Sequence, residues 1–366
     1  MSIHQIHISD VKSFLKCRRQ WEWSSPLRGN LEPAIPYLPF YFGRAIHHCL
    51  EMKASQDKPF TLSLREFIEH ERKQMEASGP WQAEIDALEE HMELAAGVLA
   101  HYGLHYEYDE GPWSDHNLEY IQTESSFEVP LRSASGRRST IFLAGRYDGI
   151  VQRKDNKEFW IFESKTTRSI GELERSLAND FQCGMYIWAA RELYDLPIKG
   201  VIYNMMTKKA PTQPQVRTNG LLQRDQKLQT SPVAYMQAIR QLHPDFQPRH
   251  VEEFYGEYLQ WLSSEPNRFF KRAAVIRTPY EIDHLADDVY AIALEMVNKR
   301  TRMYPSPSWI NCNFCMFRDP CLATNKGMND NVQLMLSETF RRKVAAESLR
   351  ETEQYYDISP GATTNA

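Results

Sequence analysis

Nowhere does the chain run to about 18 consecutive apolar residues, so no transmembrane helix is expected. The opening stretch MSIHQIHISDVKSF lacks the basic and apolar blocks of a secretory leader. There is no surplus of positive charge either. Net charge is −5 over 366 residues, which excludes a protein that coats nucleic acid with its whole surface and leaves room only for a local basic patch. The motor signature GxxxxGK(S/T) is missing, so no built-in ATP-driven motor is expected. Internal repeats are absent. Cysteine is scarce, at six residues. With no leader the expected compartment is the cytoplasm, where thiols stay reduced and act as ligands or buried packing.

What is present is an ordinary globular composition, 42% hydrophobic and 25% charged, in a chain long enough for a large core and two or more lobes. Ser9-Asp10 is expected to start a helix through VKSFLKCRRQWEW. Residues 30–39 carry several prolines and read as an extended loop. Phe42–Met52 reads as a helix entered through Gly43. Leu62 to about Tyr108 reads as a helical lobe with no site-like cluster. The polar–apolar alternation of Leu118–Leu131 predicts a strand. Thr140–Val151 and Glu158–Lys165 read as two more, joined into a hairpin by the Asp155-Asn156 turn. A long helix is expected over Gly171–Leu196, ended by Pro197, then a strand at Lys199–Thr207. Lys208–Pro232, polar and basic with three prolines, reads as a long mobile loop. Val251–Phe269, Tyr280–Met303 and Asn329–Tyr355 read as helices, Trp309–Asp319 as irregular, and the last ten residues as disordered. The order helix, three strands, helix, strand implies the α/β class, a mixed central sheet flanked by helices.

Two strand ends carry the chemistry. Residues i and i+2 of a strand share a face, so Glu163 and Lys165 point one way and Ser164 the other. Asp148, in Gly145-Arg146-Tyr147-Asp148, lies near the end of the neighbouring strand and can reach that face. Two carboxylates and a lysine at one sheet edge are costly to bury unless a cation or a reacting anion satisfies them. Phosphodiester hydrolysis fits this set. Attack builds charge on an anionic centre, and a divalent cation offsets that charge and lowers the pKa of bound water. Magnesium and manganese favour oxygen ligands, and manganese also accepts imidazole. Asp148 and Glu163 are the candidate carboxylate ligands, and the carbonyl of Ser164 could add another. Lys165 would orient the attacking water or stabilise the transition state.

Asp148, a spacer of fourteen residues and Glu163-Ser164-Lys165 together resemble the PD-(D/E)XK nuclease superfamily. Gly43-Arg44-Ala45-Ile46-His47, followed by Glu51, is similar to the GxxxH helix of its RecB-type branch. That resemblance implies a metal ligand at His47, chosen over His48 by the register. Gln182 and Tyr186, four apart on one helix face, resemble the branch's QxxxY element, which would position Lys165 or the DNA backbone. The resemblance thus implies a restriction-endonuclease-like core with helical insertions and a Mg2+ or Mn2+ cofactor. It gives a catalytic set of Asp148, Glu163, Lys165, Gln182 and Tyr186, with metal held by His47, Asp148, Glu163 and Ser164.

Cys312, Cys315 and Cys321 form C-x2-C-x5-C, a spacing that reads as metal ligation. Cys17, about 295 residues earlier, is the natural fourth ligand, and a shared metal would close a very long loop. The set resembles the iron–sulfur staple of AddB-type helicase–nuclease subunits and CRISPR-adaptation exonucleases. It implies a 4Fe–4S cluster; zinc is the physical alternative for four thiolates. Cys49 and Cys183 read as packing residues. Arg18, Arg19 and Trp21 suit a single strand, with charge along the backbone and a ring for stacking. Lys208, Lys209 and Arg217 form a second candidate phosphate patch. For both sets a solvated surface is the plainer reading.

The expected segments are 1–51 (N-terminal helices with the first cysteine and His47), 52–117 (helical insertion) and 118–215 (nuclease core). They continue with 216–304 (helical), 305–325 (cysteine-rich cluster region) and 326–366 (C-terminal helix and tail). The implied function is a metal-dependent DNA nuclease, first an exonuclease on single-stranded ends in recombination, repair or CRISPR-adaptation-like processing. A structure-specific endonuclease and a DNA-end-binding module active only with a partner protein are the competing readings. Implied partners are DNA, preferably single-stranded, and a helicase, recombinase or integrase, with no membrane. A phage-encoded chain in a host cytoplasm also fits the resemblance.

Overall fold

A computed structural model of the chain describes residues 3–34, 39–78, 82–133, 136–194 and 196–343. The first half contains β1 (His4–Ile6), α1 (Ile8–Lys16), α2 (Arg18–Ser24), β2 (Leu31–Pro33), α3 (Pro39–Gln56), α4 (Phe60–Ser78) and α5 (Gln82–Glu107). Next come β3 (Leu118–Arg132), β4 (Arg138–Arg153), β5 (Phe159–Thr167), α6 (Ile170–Ser176), α7 (Phe181–Leu193) and β6 (Ile198–Thr207). The chain continues with α8 (Pro232–Leu242), α9 (Pro248–Ser264), β7 (Phe270–Val275) and α10 (Pro279–Val297). It then forms α11 (Trp309–Asn313), α12 (Arg318–Asn325), α13 (Asn329–Thr339) and β8 (Phe340–Arg342).

The sheet is six-stranded and mixed, in the order β1-β4-β5-β6-β7 with β3 also on β4. β3 runs antiparallel along one edge of β4. The opposite edge takes β1, parallel, at Ile141–Leu143 and β5, antiparallel, at Gly149–Gln152. β5 and β6 are parallel, and β7 closes the far edge antiparallel to β6. Strands buried on both faces read as near-continuous apolar runs. β6, Ile198–Thr207, is such a strand, buried at every position except Lys199.

Helices cover both faces, as the α/β class requires. One face packs Ile161, Val201, Tyr203 and Met205 against Cys183, Met185 and Ile187 of α7 and Val289 and Ala293 of α10. The other packs Met206 and Phe270 against Ala45 and Ile46 of α3 and Val98, Leu99 and Tyr102 of α5. α8 and α9 build a separate small core around Tyr235 and Tyr255. Among the described residues no helix is long and apolar enough to cross a membrane.

Two segments far apart in sequence meet. β2 pairs antiparallel with β8, Leu31 opposite Arg342. Phe317 stacks on Phe340 (4.6 Å between centroids) and touches Trp23.

Several local expectations need correcting. The first helix starts at Ile8 with His7 as its cap and breaks at Cys17, whose extended φ of −162° separates α1 from α2. Gly43 lies inside α3. The helix expected over Gly171–Leu196 is two helices, because Asp180 caps α7 by accepting the Gln182 N–H. Part of the proline-bearing 30–39 segment is strand β2, and residues 35–38 lie outside the described residues. Lys208–Pro232 is loop as expected up to Ser231, where α8 takes over, and it carries a bridge between Val216 and Leu222 and a bond from the Thr212 N–H to the Gln229 carbonyl. The C-terminal helix ends at Thr339 and gives way to β8; the expected tail lies outside the described residues. The short strands β1, β7 and β8 and helix α8 were not anticipated.

Candidate active site

The ladder between β4 and β5 stops at the pair Gly149–Phe162. Beyond it a side chain takes over: Asp148 Oδ2 accepts the backbone N–H of Ser164 at 2.7 Å. β1 has already left β4 at Leu143, so among the described residues the β4 edge at 144–148 has no ladder partner on that side. On the other edge, the pairs Thr123–Gly149 and Ser125–Tyr147 bracket Glu124. Glu124 has a φ of +46°, a left-handed conformation uncommon outside glycine and asparagine. The site is therefore built where regular pairing is interrupted on both edges of one strand.

Three elements converge there. α3 brings His47, whose Nδ1 lies 3.3 Å from Asp148 Oδ2. β5 brings Glu163, 2% exposed, and Lys165, whose Nζ donates to Glu163 Oε1 at 2.8 Å. α7 brings Gln182, whose Nε2 donates to the same oxygen at 2.9 Å. Gln182 can do this because Asp180, the cap, fixes the first turn of α7. Asp180 is itself held by Lys12 at 2.6 Å and by the Tyr203 hydroxyl at 3.1 Å.

The charges are strongly interdependent. Burial disfavours the His47 imidazolium, but Asp148 outweighs it and raises His47 to about 9. Burial also opposes ionisation of Asp148, yet His47, the Ser164 N–H and Lys165 hold it below the usual carboxylate range. Glu124 goes the other way. Burial pushes it up and Asp148 adds to the push, while Arg146, with Nε 2.6 Å from Oε2, offsets only part. Two neighbouring carboxylates pushed in opposite directions are the usual mark of a functional cluster.

A cleft of about 450 Å3 opens beside His47, Glu51, Glu124 and Arg146. α4, in the lobe read as carrying no site-like cluster, supplies its far wall with Glu66, Phe67, His70 and Glu71. Arg44 ties the two walls together through Glu71 at 2.7 Å.

The remaining candidates are placed as follows. Tyr186 is buried, 1% exposed, between Phe127 and Tyr147, and its carbonyl accepts the Tyr147 hydroxyl. Trp21 is fully buried against Phe14, so the expectation that it stacks on bases is corrected: its ring is core. Arg18 pairs with Glu295 and lies over Tyr304, and Arg19 bonds Asn325 and the sulfur of Cys321. Lys208 N–H donates to the Thr167 carbonyl, which places Lys208 and Lys209 at the strand end that follows Lys165. Cys49 and Cys183 are buried thiols, each pushed up to about 12 by burial.

Cys17, Cys312, Cys315 and Cys321 line one cavity of about 210 Å3. All four are free thiols. Cys17 Sγ accepts the Ser306 N–H at 3.5 Å, and Cys321 Sγ accepts from Arg19 at the same distance. Burial raises Cys315 to about 11. Even so, no three His, Cys, Asp or Glu side chains among the described residues converge into a ready metal cage.

Glu124, Lys12 and Asp180 were missed from sequence. Asp180 had a local signal, an acidic residue directly before a helical run. Glu124 had none, since only the structure shows the twist that turns it to Asp148.

A sequence model of the PD-(D/E)XK nuclease superfamily matches residues 6–322. No curated protein matches the chain. The match spans Asp148, the Glu163-Ser164-Lys165 strand and the mixed sheet that carries them, and the chain belongs to the PD-(D/E)XK nuclease superfamily.

Proposed function

We propose that the chain is a divalent-metal-dependent deoxyribonuclease of the RecB-type branch, working as an exonuclease on single-stranded DNA ends in recombination, repair or CRISPR-adaptation-like processing. The observation that carries this reading is the meeting of His47, Asp148, Glu163, Lys165 and Gln182, drawn from four elements, at one strand end.

The donor set suits Mg2+ or Mn2+: two carboxylates, an imidazole and the Ser164 carbonyl are the oxygen-rich, single-nitrogen chemistry those ions take. His47, Asp148, Glu163 and the Ser164 carbonyl would hold the ion. In this structure His47 lies against Asp148 and Lys165 against Glu163. When bound, the ion supplies an activated water and offsets charge on the phosphate. Gln182 keeps Glu163 turned toward Lys165, and the Lys165 ammonium donates to the water or to a phosphate oxygen as charge builds. Asp148 holds Ser164 in line by accepting its N–H.

The single-strand preference is supported by residues 299–326. Lys299, Arg300, Arg302, Arg318 and Lys326 are exposed there, and Asp319 is the only acid. Tyr304, Trp309 and Phe314 stand exposed among them, Trp309 at 70%. Cations for the backbone and open rings for bases are what a single strand requires. These rings replace Trp21 in that role.

The cysteine cavity adjoins this segment, and four thiols around one void, two of them accepting N–H bonds, fit a 4Fe–4S cluster or zinc held by Cys17, Cys312, Cys315 and Cys321. Its role would be structural, joining α1–α2 to α11–α12. A helicase, recombinase or integrase would supply any motor or joining step.

Linear and circular single strands test the exonuclease assignment. Loss of the linear strand with the circle intact is expected. Cleavage of the circle identifies an endonuclease, because a circle has no end.

A further inference from the structure

Behind Glu163 and Lys165, on the opposite face of the sheet, lies a connected set of hydrogen bonds, buried at its centre, that the proposed chemistry does not use. Ser164, Asn204 and Arg272 are register partners across β5, β6 and β7. Asn204 is fully buried. Its Nδ2 donates to Ser164 Oγ at 3.1 Å and to the Tyr102 hydroxyl at 3.0 Å. Its Oδ1 accepts from Arg272 Nε at 3.2 Å. Arg272 also donates to the Tyr102 hydroxyl at 2.7 Å and to the Trp113 carbonyl at 2.6 Å, and pairs with Asp115 at 2.7 Å. Its guanidinium carbon lies 3.7 Å from the centre of the Tyr106 ring.

Each of these bonds restricts the others. A buried guanidinium is tolerated only when its N–H groups meet acceptors, and here they do. An amide with both N–H groups and its oxygen engaged has one orientation left. That orientation presents an N–H to Ser164 Oγ. Ser164 is then gripped twice, by Asn204 through its side chain and by Asp148 through its backbone N–H at 2.7 Å. The residue so gripped is the middle one of the Glu163-Ser164-Lys165 triplet.

We infer that Asn204 and Arg272 are positioning residues. They fix Ser164 from the back of the sheet, and with it the alignment of the Ser164 carbonyl, Glu163 and Lys165 on the front. Tyr102 and Tyr106 come from α5 and Asp115 from the turn after it, so the helical insertion is a strut for the catalytic strand. This role rests on the nuclease reading above. It deepens it by giving the insertion and the edge strand β7 a part in keeping the site ready for metal.

The test compares the parent, Asn204→Leu, Ser164→Ala and the double variant. Three quantities are read: Mn2+ binding by electron paramagnetic resonance, single-turnover cleavage of a labelled single strand, and strand affinity without metal. Asn204→Leu should weaken Mn2+ binding and slow cleavage by about tenfold to a hundredfold each, the usual cost of losing a supporting residue behind a metal ligand. Metal-free strand affinity should not change. The double variant should be no worse than Asn204→Leu alone, since both remove one link. If Asn204→Leu does not fold, Ser164→Ala, which deletes one hydroxyl, must still weaken Mn2+ binding. Unchanged Mn2+ binding and cleavage in Ser164→Ala and in any folded Asn204→Leu, beside an active parent, overturns the proposal. So does full additivity in the double variant. A parent that neither binds Mn2+ nor cleaves overturns the nuclease reading itself, and the positioning role with it.

Discussion

The backbone N–H of Ser164 reaches Asp148 Oδ2 at 2.7 Å, and this bond joins two separate sequence motifs at the point where the β4–β5 ladder ends. The site is held open by a side chain doing the work of a main-chain acceptor. Asp148→Ala should therefore cost both the metal site and the alignment of β5. Cleavage should fall by roughly a thousandfold, as for loss of a major charge-stabilising group. Asp148→Asn should spare more of the fold, because an amide oxygen still accepts the Ser164 N–H, yet remain nearly inactive. Circular dichroism melts beside cleavage rates separate the two effects.

Gln182 and Tyr186 should behave differently although the sequence reading grouped them together. Gln182→Ala removes the donor that orients Glu163 Oε1, so activity should drop about tenfold to a hundredfold with little change in melting temperature. Tyr186→Ala empties a core position between Phe127 and Tyr147 and should destabilise by about 3–5 kcal/mol. Equal stability losses in the two variants would contradict this division.

Acid stability should depend on Asp180. Burial opposes its ionisation, but Lys12 and the Gln182 N–H outweigh it and lower its folded pKa. A depressed folded pKa means that the unfolded chain takes the proton first. The stabilisation is present above the unfolded value, about pH 4, and is lost as pH falls through the folded one. Lys12→Met should melt below the parent at neutral pH, and the two melting curves should converge as the acid limit is approached. Parallel curves at all pH values would refute the link.

The cysteines should divide into two groups. Cys49 and Cys183, buried with thiols at about 12, should resist alkylation in the folded chain. Protein purified without oxygen should carry iron and sulfide, or else zinc, and lose it in Cys17→Ser and Cys321→Ser alike. Metal retained in both variants would show that the cavity they line is not the site.

Much of this was readable in advance because it is local. Alternation gave β3, the Asp155-Asn156 turn gave the β4–β5 hairpin, and resemblance to the nuclease family picked out Asp148, Glu163, Lys165 and His47 as candidates. The shared cavity of Cys17 with Cys312, Cys315 and Cys321 followed from counting ligands. What escaped is non-local or small. Glu124 becomes a site residue only through a left-handed turn inside a long strand. The Asn204–Arg272 brace spans three strands and a helix, and no window of sequence contains it. Trp21 looked exposed because it stands among charges, yet α2 buries one side and turns the ring into the core. The helix break at Asp180 was a signal overlooked, since Asp180 sits where a cap belongs.

The most direct test follows an end-labelled single strand with chain purified without oxygen, in Mg2+ or Mn2+, beside Lys165→Ala. The account predicts metal-dependent loss of the strand by the parent and a rate lower by about a hundredfold to a thousandfold in the variant. Equal cleavage by both proteins, or an untouched strand with a folded, metal-loaded parent, would contradict it.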